Sequence, residues 1–221
     1  MIASTVYPPA EDSFLMLEAM RDYMKTLDPN LKTQDPKHKT VDTRFACSEP
    51  VRRVVSRLVR RRPKTVKTAL DMGTGSGILA IELAKLGFEV TAADINPEAI
   101  KIAKQNTKEA GVKIDFVISD LFSNIRNKFD LIVFNPPYVK TEDRELKTAD
   151  MEALAWAGGP DGMQVINRFL SGVSSSLKPE GRIILLVSSN DDKIPELPGY
   201  TIKLLKRKSL FFEQLFVLEL S

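Results

Sequence analysis

Val66-Lys67-Thr68-Ala69-Leu70-Asp71-Met72-Gly73-Thr74-Gly75-Ser76-Gly77-Ile78-Leu79-Ala80-Ile81-Glu82-Leu83-Ala84-Lys85-Leu86 is the stretch on which the fold turns. Val66–Asp71 reads as a short strand, Gly73, Gly75 and Gly77 as a tight turn, and Ile78–Leu86 as a helix entered through those glycines. The same grammar continues downstream. Phe88–Ala93 is the next strand, Pro97–Ala110 a helix with proline in its first turn, and Lys113–Ile118 and Asp130–Phe134 two further strands. A helix from about Gly162 to Leu177 precedes the strand Arg182–Val187, and Tyr200–Lys206 with Leu210–Leu218 reads as a hairpin closing the sheet. Strands alternating with helices at this spacing imply an α/β fold with a mostly parallel, doubly wound sheet and right-handed crossovers. Ligands of such sheets lie beyond the carboxyl ends of the strands, where the strand order reverses.

Upstream, Val6–Lys25 reads as a helix with Phe14, Leu17, Met20 and Met24 at helical spacing, preceded by the capping run Ala10-Glu11-Asp12-Ser13. Leu27–Thr43 is rich in Pro, Lys, Thr and Asp and reads as an exposed loop. A second helix follows, with Val51, Val54, Val55, Leu58 and Val59 on one face and Arg52, Arg53, Arg57, Arg60, Arg61 and Arg62 around the rest, stopped by Pro63. The expected division is a helical extension over 1–65 and an α/β domain over 66–221. Of the 221 residues 43% are hydrophobic and 28% charged, ordinary for a globular chain, and a net charge of +3 does not by itself imply a nucleic-acid partner. A single cysteine, Cys47, excludes an intrachain disulfide and a cysteine-rich zinc site. With no signal-like start and no apolar run long enough to cross a bilayer, the expected setting is the cytoplasm, without a membrane partner.

Three acidic positions follow three successive strands. Asp71 stands immediately before the glycine turn, where a carboxylate repels a pyrophosphate but suits an ammonium or a sulfonium. The spacing of the glycines also departs from the dinucleotide fingerprint, because Ile78 fills the position expected to be glycine. Asp94 comes about 20 residues after the glycines, a spacing at which a carboxylate meets ribose hydroxyls. Asp120-Leu121 follows the strand ending at Ile118; the acid can accept from an adenine amino group and the leucine can pack on the ring. Either of Asp94 and Asp120 taken alone reads more simply as a helix or turn cap. The set of three beside a glycine turn points to a nucleoside ligand.

The most specific motif is Asn135-Pro136-Pro137-Tyr138, directly after the apolar run Leu131–Phe134. An amide nitrogen is a poor nucleophile because its lone pair is delocalised, and no side-chain base removes its proton beforehand near neutral pH. The available route is positional: acceptors hold both N–H groups and aim the lone pair. The Asn135 side-chain oxygen can take one N–H and the Pro136 carbonyl the other, with its direction limited by the locked φ of two prolines. Tyr138 can pack against a planar group and restrict water. As an isolated tetrapeptide it is a rigid turn; after the acidic strand ends it reads as a catalytic site.

The run from Asp71 through Asp94 to Asp120 resembles the class I S-adenosylmethionine-dependent methyltransferases, which implies a Rossmann-like, seven-stranded sheet with the last strand antiparallel. The tetrapeptide resembles that of enzymes methylating adenine N6, cytosine N4 and glutamine N5. Val6-Tyr7-Pro8-Pro9-Ala10-Glu11-Asp12-Ser13 and Ala155-Trp156-Ala157-Gly158-Gly159-Pro160-Asp161-Gly162 are similar to the archaeal and eukaryotic branch of the release-factor glutamine methyltransferases. The resemblance implies N5-methylation of the glutamine in the Gly-Gly-Gln motif of a translation release factor. By matching, Ser13, Asp71, Gly73, Gly75, Asp94, Asp120 and Leu121 would touch S-adenosylmethionine, while Asn135, Pro136, Pro137 and Tyr138 would hold the glutamine. It also implies a small zinc-binding activator subunit adding a strand at the edge Lys113–Ile118, where Ile114, Phe116 and Ile118 share a face; those residues equally suit packing under the helix Pro97–Ala110. Pro8 departs from the acidic residue expected there, and the stretch from Leu27 to Lys64 is longer than the family pattern. Its arginine helix reads first as a solvated face and second as a contact for an acidic protein surface or RNA. His38 and Cys47 have no partner at metal or triad spacing, and Trp156 carries no catalytic part. The rival readings are an adenine-N6 methyltransferase for DNA or RNA, with a flipped base on Tyr138, and a cofactor-binding module without catalysis.

Overall fold

The computed structural model describes residues 10–27, 67–140, 157–190, 193–211 and 213–221. The loop from residue 28, the arginine-rich helix, His38, Cys47 and Trp156 lie outside the described residues. The elements are α1 (Glu11–Leu27), β1 (Thr68–Met72), α2 (Ile78–Lys85), β2 (Glu89–Asp94), α3 (Pro97–Ala110), β3 (Asp115–Ile118), β4 (Phe129–Phe134), β5 (Val139–Lys140), β6 (Ala157–Gly159), α4 (Gln164–Gly172), β7 (Leu177–Ser189), β8 (Ile202–Ser209) and β9 (Gln214–Leu220).

Seven strands form one sheet in the order β3-β2-β1-β4-β7-β9-β8. The first five of these pair in parallel, and β9, last in the chain, runs antiparallel to both of its neighbours. Buried parallel strands have both faces covered, so they read as unbroken apolar runs rather than as alternation. Leu131–Phe134 and Ile183–Val187 are accordingly buried throughout. Alternate residues serve opposite faces. Ala69, Leu131 and Ile184 join α1 and α2 in one core, while Leu70, Ile132 and Ile183 meet Ile166 and Phe169 of α4 in the other. The helices follow from local chemistry. Asn96 accepts from the Glu98 N–H (2.9 Å) at the start of α3, Pro97 opens its first turn, and Gly111 ends it at φ 66°.

Several expectations are corrected. The first helix begins at Glu11 in the described chain and runs to Leu27, and Phe14 is 56% exposed rather than core, because the buried side is built from Leu15, Met16, Leu17, Ala19, Met20, Tyr23 and Met24. The helix expected to reach Leu177 stops at Gly172 and passes through a 3₁₀ turn, Val173–Ser175, where a glycine and serines support an α-helix poorly. The carboxyl-terminal hairpin does close the sheet, but β9 lies inside it and β8 takes the edge. β5 and β6, each only two or three residues long, form a further small parallel pair.

α1 is tied to the sheet domain by charge as well as by apolar contact. Arg21 grips Glu82 of α2 with Nε to Oε1 at 2.5 Å and Nη2 to Oε2 at 2.9 Å. Glu82 is buried, so this fork supplies the pairing that its charge requires. No helix among the described residues is long and apolar enough to cross a membrane.

Candidate active site

The strand order reverses between β1 and β4, whose carboxyl ends are in register, with Met72 beside Phe134. The glycine turn and the Asn135–Tyr138 segment therefore emerge side by side. A Cβ on Gly73 would lie 3.2 Å from the Phe134 ring and 3.9 Å from the Asn135 carbonyl oxygen. The turn is laced to β2 by Thr74 N–H to the Ala93 carbonyl (2.9 Å), and β2 to β3 by Ser119 N–H to the Asp94 carbonyl (2.9 Å).

Asp94 closes β2 with its carboxylate held between the turns. Oδ2 accepts from the Gly75 N–H and Oδ1 from the Asn96 N–H, both at 2.9 Å. Burial pushes its carboxyl up, and the N–H groups of Asn96, Gly75 and Ile95 pull it back. Gly75 has φ +53° and nothing within 4 Å of where a Cβ would stand, so the space over the turn is open beside this carboxylate.

Asp71 stands at the end of β1, just before the glycine turn. It is 0% exposed, and Oδ2 accepts from the Thr74 hydroxyl (2.6 Å) and the Ala80 N–H (3.0 Å), joining the turn to the start of α2. Oδ1 is buried without a hydrogen-bond partner among the described residues. Burial raises its pKa to about 7, opposed by the two donors and aided by the charge of Asp94. What the carboxylate visibly holds is the turn.

Asp120 follows β3 on the surface, and its Oδ2 accepts from Arg168 Nη2 of α4 at 2.8 Å. Leu121 adopts φ 46°, the one positive φ outside glycine among the described residues, a conformation sparsely used by such a side chain. The Asp120–Arg168 pair joins residues 48 positions apart and left no signal in the sequence.

At the end of β4, Pro136 is buried while Asn135, Pro137 and Tyr138 are half-buried. Asn135 Nδ2 donates to Asp12 Oδ2 (3.2 Å) and Ser13 Oγ (3.4 Å), and the Tyr138 hydroxyl donates to Asp12 Oδ2 (3.2 Å). Asn135 Oδ1 is buried and has no partner among the described residues. An unpaired buried acceptor is costly unless something comes to meet it. Ser13 is thus placed against the Asn135 side chain, and Asp12, beside it at the start of α1, sits at the centre of the group.

The loop Ala157–Gly162 packs on the backbone of Tyr138. A Cβ on Gly158 would fall 2.8 Å from Tyr138 Cα, and one on Gly162 would fall 2.5 Å from the Tyr138 carbonyl oxygen. These glycines permit a close approach that fixes the segment from behind.

A sequence model of the methyltransferase small domain matches residues 53–199, more than half of the chain. A protein of Methanocaldococcus jannaschii named as an N5-glutamine methyltransferase is 38% identical over 158 residues, covering 69% of this chain and 80% of that one. This chain belongs to the methyltransferase small domain family. The release factor glutamine methyltransferase of Streptococcus pneumoniae is 35% identical over 165 residues, covering 71% of this chain and 59% of that enzyme. Among solved structures, that of the E. cuniculi Mtq2–Trm112 complex, responsible for methylation of the eRF1 termination factor, superposes with a TM-score of 0.60. It covers 98% of each chain at 20% identity, a likeness of fold. The small-domain methyltransferase is thus an enzyme with the expected seven-stranded sheet, its antiparallel strand last in the chain.

Proposed function

We propose that this methyltransferase transfers a methyl group from S-adenosylmethionine to N5 of the glutamine in the Gly-Gly-Gln motif of a translation release factor. The observation that carries the reading is Asn135 Oδ1: a buried acceptor with no partner among the described residues, beside the glycine turn. The relatives named as glutamine methyltransferases support that class of nitrogen.

The residues present fit the cofactor. Gly75 leaves open space beside Asp94, whose two oxygens, each already fixed by at least one N–H, retain lone pairs for ribose hydroxyls. Asp120 and Leu121 take the adenine end, and Asp71 acts by holding the turn. When bound, S-adenosylmethionine supplies an electrophilic methyl group on a sulfonium. Asn135 Oδ1 accepts one amide N–H and the Pro136 carbonyl the other, which aims the nitrogen lone pair along the transfer path. Pro137 and Tyr138 face the planar amide and limit water. The cofactor would supply the methyl group and leave as a neutral thioether, and one of the two amide protons held by Asn135 Oδ1 and the Pro136 carbonyl would pass to water once the nitrogen is alkylated.

The setting for this role is the cytoplasm, with the release factor as substrate. A small zinc-binding activator docking on β3 completes the reading; β3 is an edge of the sheet, and Ile118 is 50% exposed there. Ile114 and Phe116 instead pack inward, Phe116 beneath Lys104 of α3 at 5.8 Å. For nucleic acid the described surface offers less. Lys206 pairs with Glu18 and Asp22, Lys208 with Glu11, and Lys203 with Glu219.

Mass spectrometry of a release factor incubated with the protein and S-adenosylmethionine, with DNA and RNA oligonucleotides in parallel, tests the reading. A methyl group on the Gly-Gly-Gln glutamine is expected. Asn135→Ala should abolish that transfer and leave cofactor binding intact. Methylated adenine with an untouched release factor would overturn the proposal.

A further inference from the structure

Asp12 stands in the first turn of α1, where a carboxylate is favoured by the helix dipole, yet it is only 7% exposed. Four donor groups meet it. Oδ1 accepts from the Ser13 N–H at 2.6 Å and the Ser13 hydroxyl at 3.3 Å; Oδ2 accepts from Asn135 Nδ2 and the Tyr138 hydroxyl, each at 3.2 Å. The residues it joins are 123 and 126 positions away in the chain.

An asparagine amide has nearly the same shape in its two flipped orientations, one end donating and the other accepting. A carboxylate only accepts. The Asn135 atom facing Asp12 must therefore be the nitrogen, because an oxygen there would set acceptor against acceptor. With the nitrogen committed, Oδ1 is turned away from Asp12 into the position where it has no partner among the described residues. In the opposite orientation Asn135 would present NH₂ to a substrate NH₂, and neither could accept.

We infer that Asp12 is a positioning residue for methyl transfer: it selects the orientation of the Asn135 amide that accepts the substrate N–H, and it aims the Tyr138 hydroxyl. This rests on the proposed role of Asn135 as that acceptor. It also gives α1 a part in catalysis, since the helix carries the group that orients the site. The same carboxylate directs two members of the tetrapeptide at once, so its loss affects the reacting nitrogen without touching the space over the glycine turn.

The test uses the full chain, S-adenosylmethionine and a Gly-Gly-Gln peptide. Asp12→Asn preserves shape but must place its own NH₂ against either Asn135 Nδ2 or the Ser13 N–H. Its kcat should fall roughly tenfold or more, a larger factor than any loss of cofactor affinity, and the buried donor–donor contact should lower the thermal midpoint modestly. Asp12→Ala should lose a similar factor. Nitrogen-15 spectra of the side-chain amides supply a readout independent of turnover. The Asn135 protons should move toward solvent-like shifts in both Asp12 variants. Parental kcat in the Asp12 variants or an unmoved Asn135 amide would overturn the inference. Full turnover by Asn135→Ala would instead remove the acceptor role on which it rests.

Discussion

Asp71 is the residue whose chemistry changes most between sequence and structure. A carboxylate before a glycine turn suggests a partner for a cationic ligand; in the fold it is enclosed and spends one oxygen on Thr74 and Ala80. Its pKa is raised to about 7 by burial, so the folded state holds a proton that the unfolded chain releases near the ordinary carboxylate range. The native state then binds more protons than the unfolded one between about pH 4 and 7, and stability from this group falls as pH rises through that window. Above it the cost of a buried charge is fully present. Asp71→Asn removes the titration, and the thermal midpoint of the variant minus that of the parent should rise between pH 5 and 8. A difference that stays flat across that range would show that the carboxyl is already ionised at the lower pH.

At the scale of elements, the loop ahead of α4 works as a backstop. Gly162 has φ +76°, and a Cβ there would also meet the Tyr138 carbonyl oxygen at 2.5 Å, a backbone atom that cannot swing aside. Gly199 has a similar φ of +87° with nothing within 4 Å, so it isolates the conformational cost alone. Gly162→Ala should destabilise by about 2–3 kcal/mol and Gly199→Ala by about 1. Only the first should also lower kcat, with cofactor affinity retained, because it displaces Tyr138. Thermal melts and steady-state rates of the two variants decide this, and equal effects on rate would remove the backstop role. The glycines were visible in the sequence as a family-like string. Their purpose was not, because a close approach of two backbones is a distance and has no local periodicity.

At the scale of the molecule, the sheet leaves β3 at one edge and β8 at the other. β8 carries Lys203, Lys206, Arg207 and Lys208, charges of the kind that blunt an open edge. β3 is only four residues long and ends at the exposed Ile118, a few residues from Asp120. A partner adding a strand to β3 would stabilise the native chain by mass action. The thermal midpoint should therefore rise with the concentration of such a subunit, together with the rate of release-factor methylation. A midpoint and rate indifferent to it would remove the activator from the proposal.

Much of this architecture is written locally. Strand-length apolar runs, a glycine turn and proline-led helices depend on neighbours within a few positions, and they sufficed for the α/β class, the parallel strands and the placing of Asp94, Asp120 and Asn135 at strand ends. Boundaries drifted where local preference is weak, as at Gly172 and at the start of β7. The convergence of Asp12 and Ser13 on Asn135, the Arg168–Asp120 pair, the insertion of β9 between β7 and β8, and the burial of Asp71 required the folded chain. Each is a relation between segments remote in sequence, set by how helices and strands pack, and a carboxylate's role as ligand, cap or clamp depends on which donors that packing brings to it.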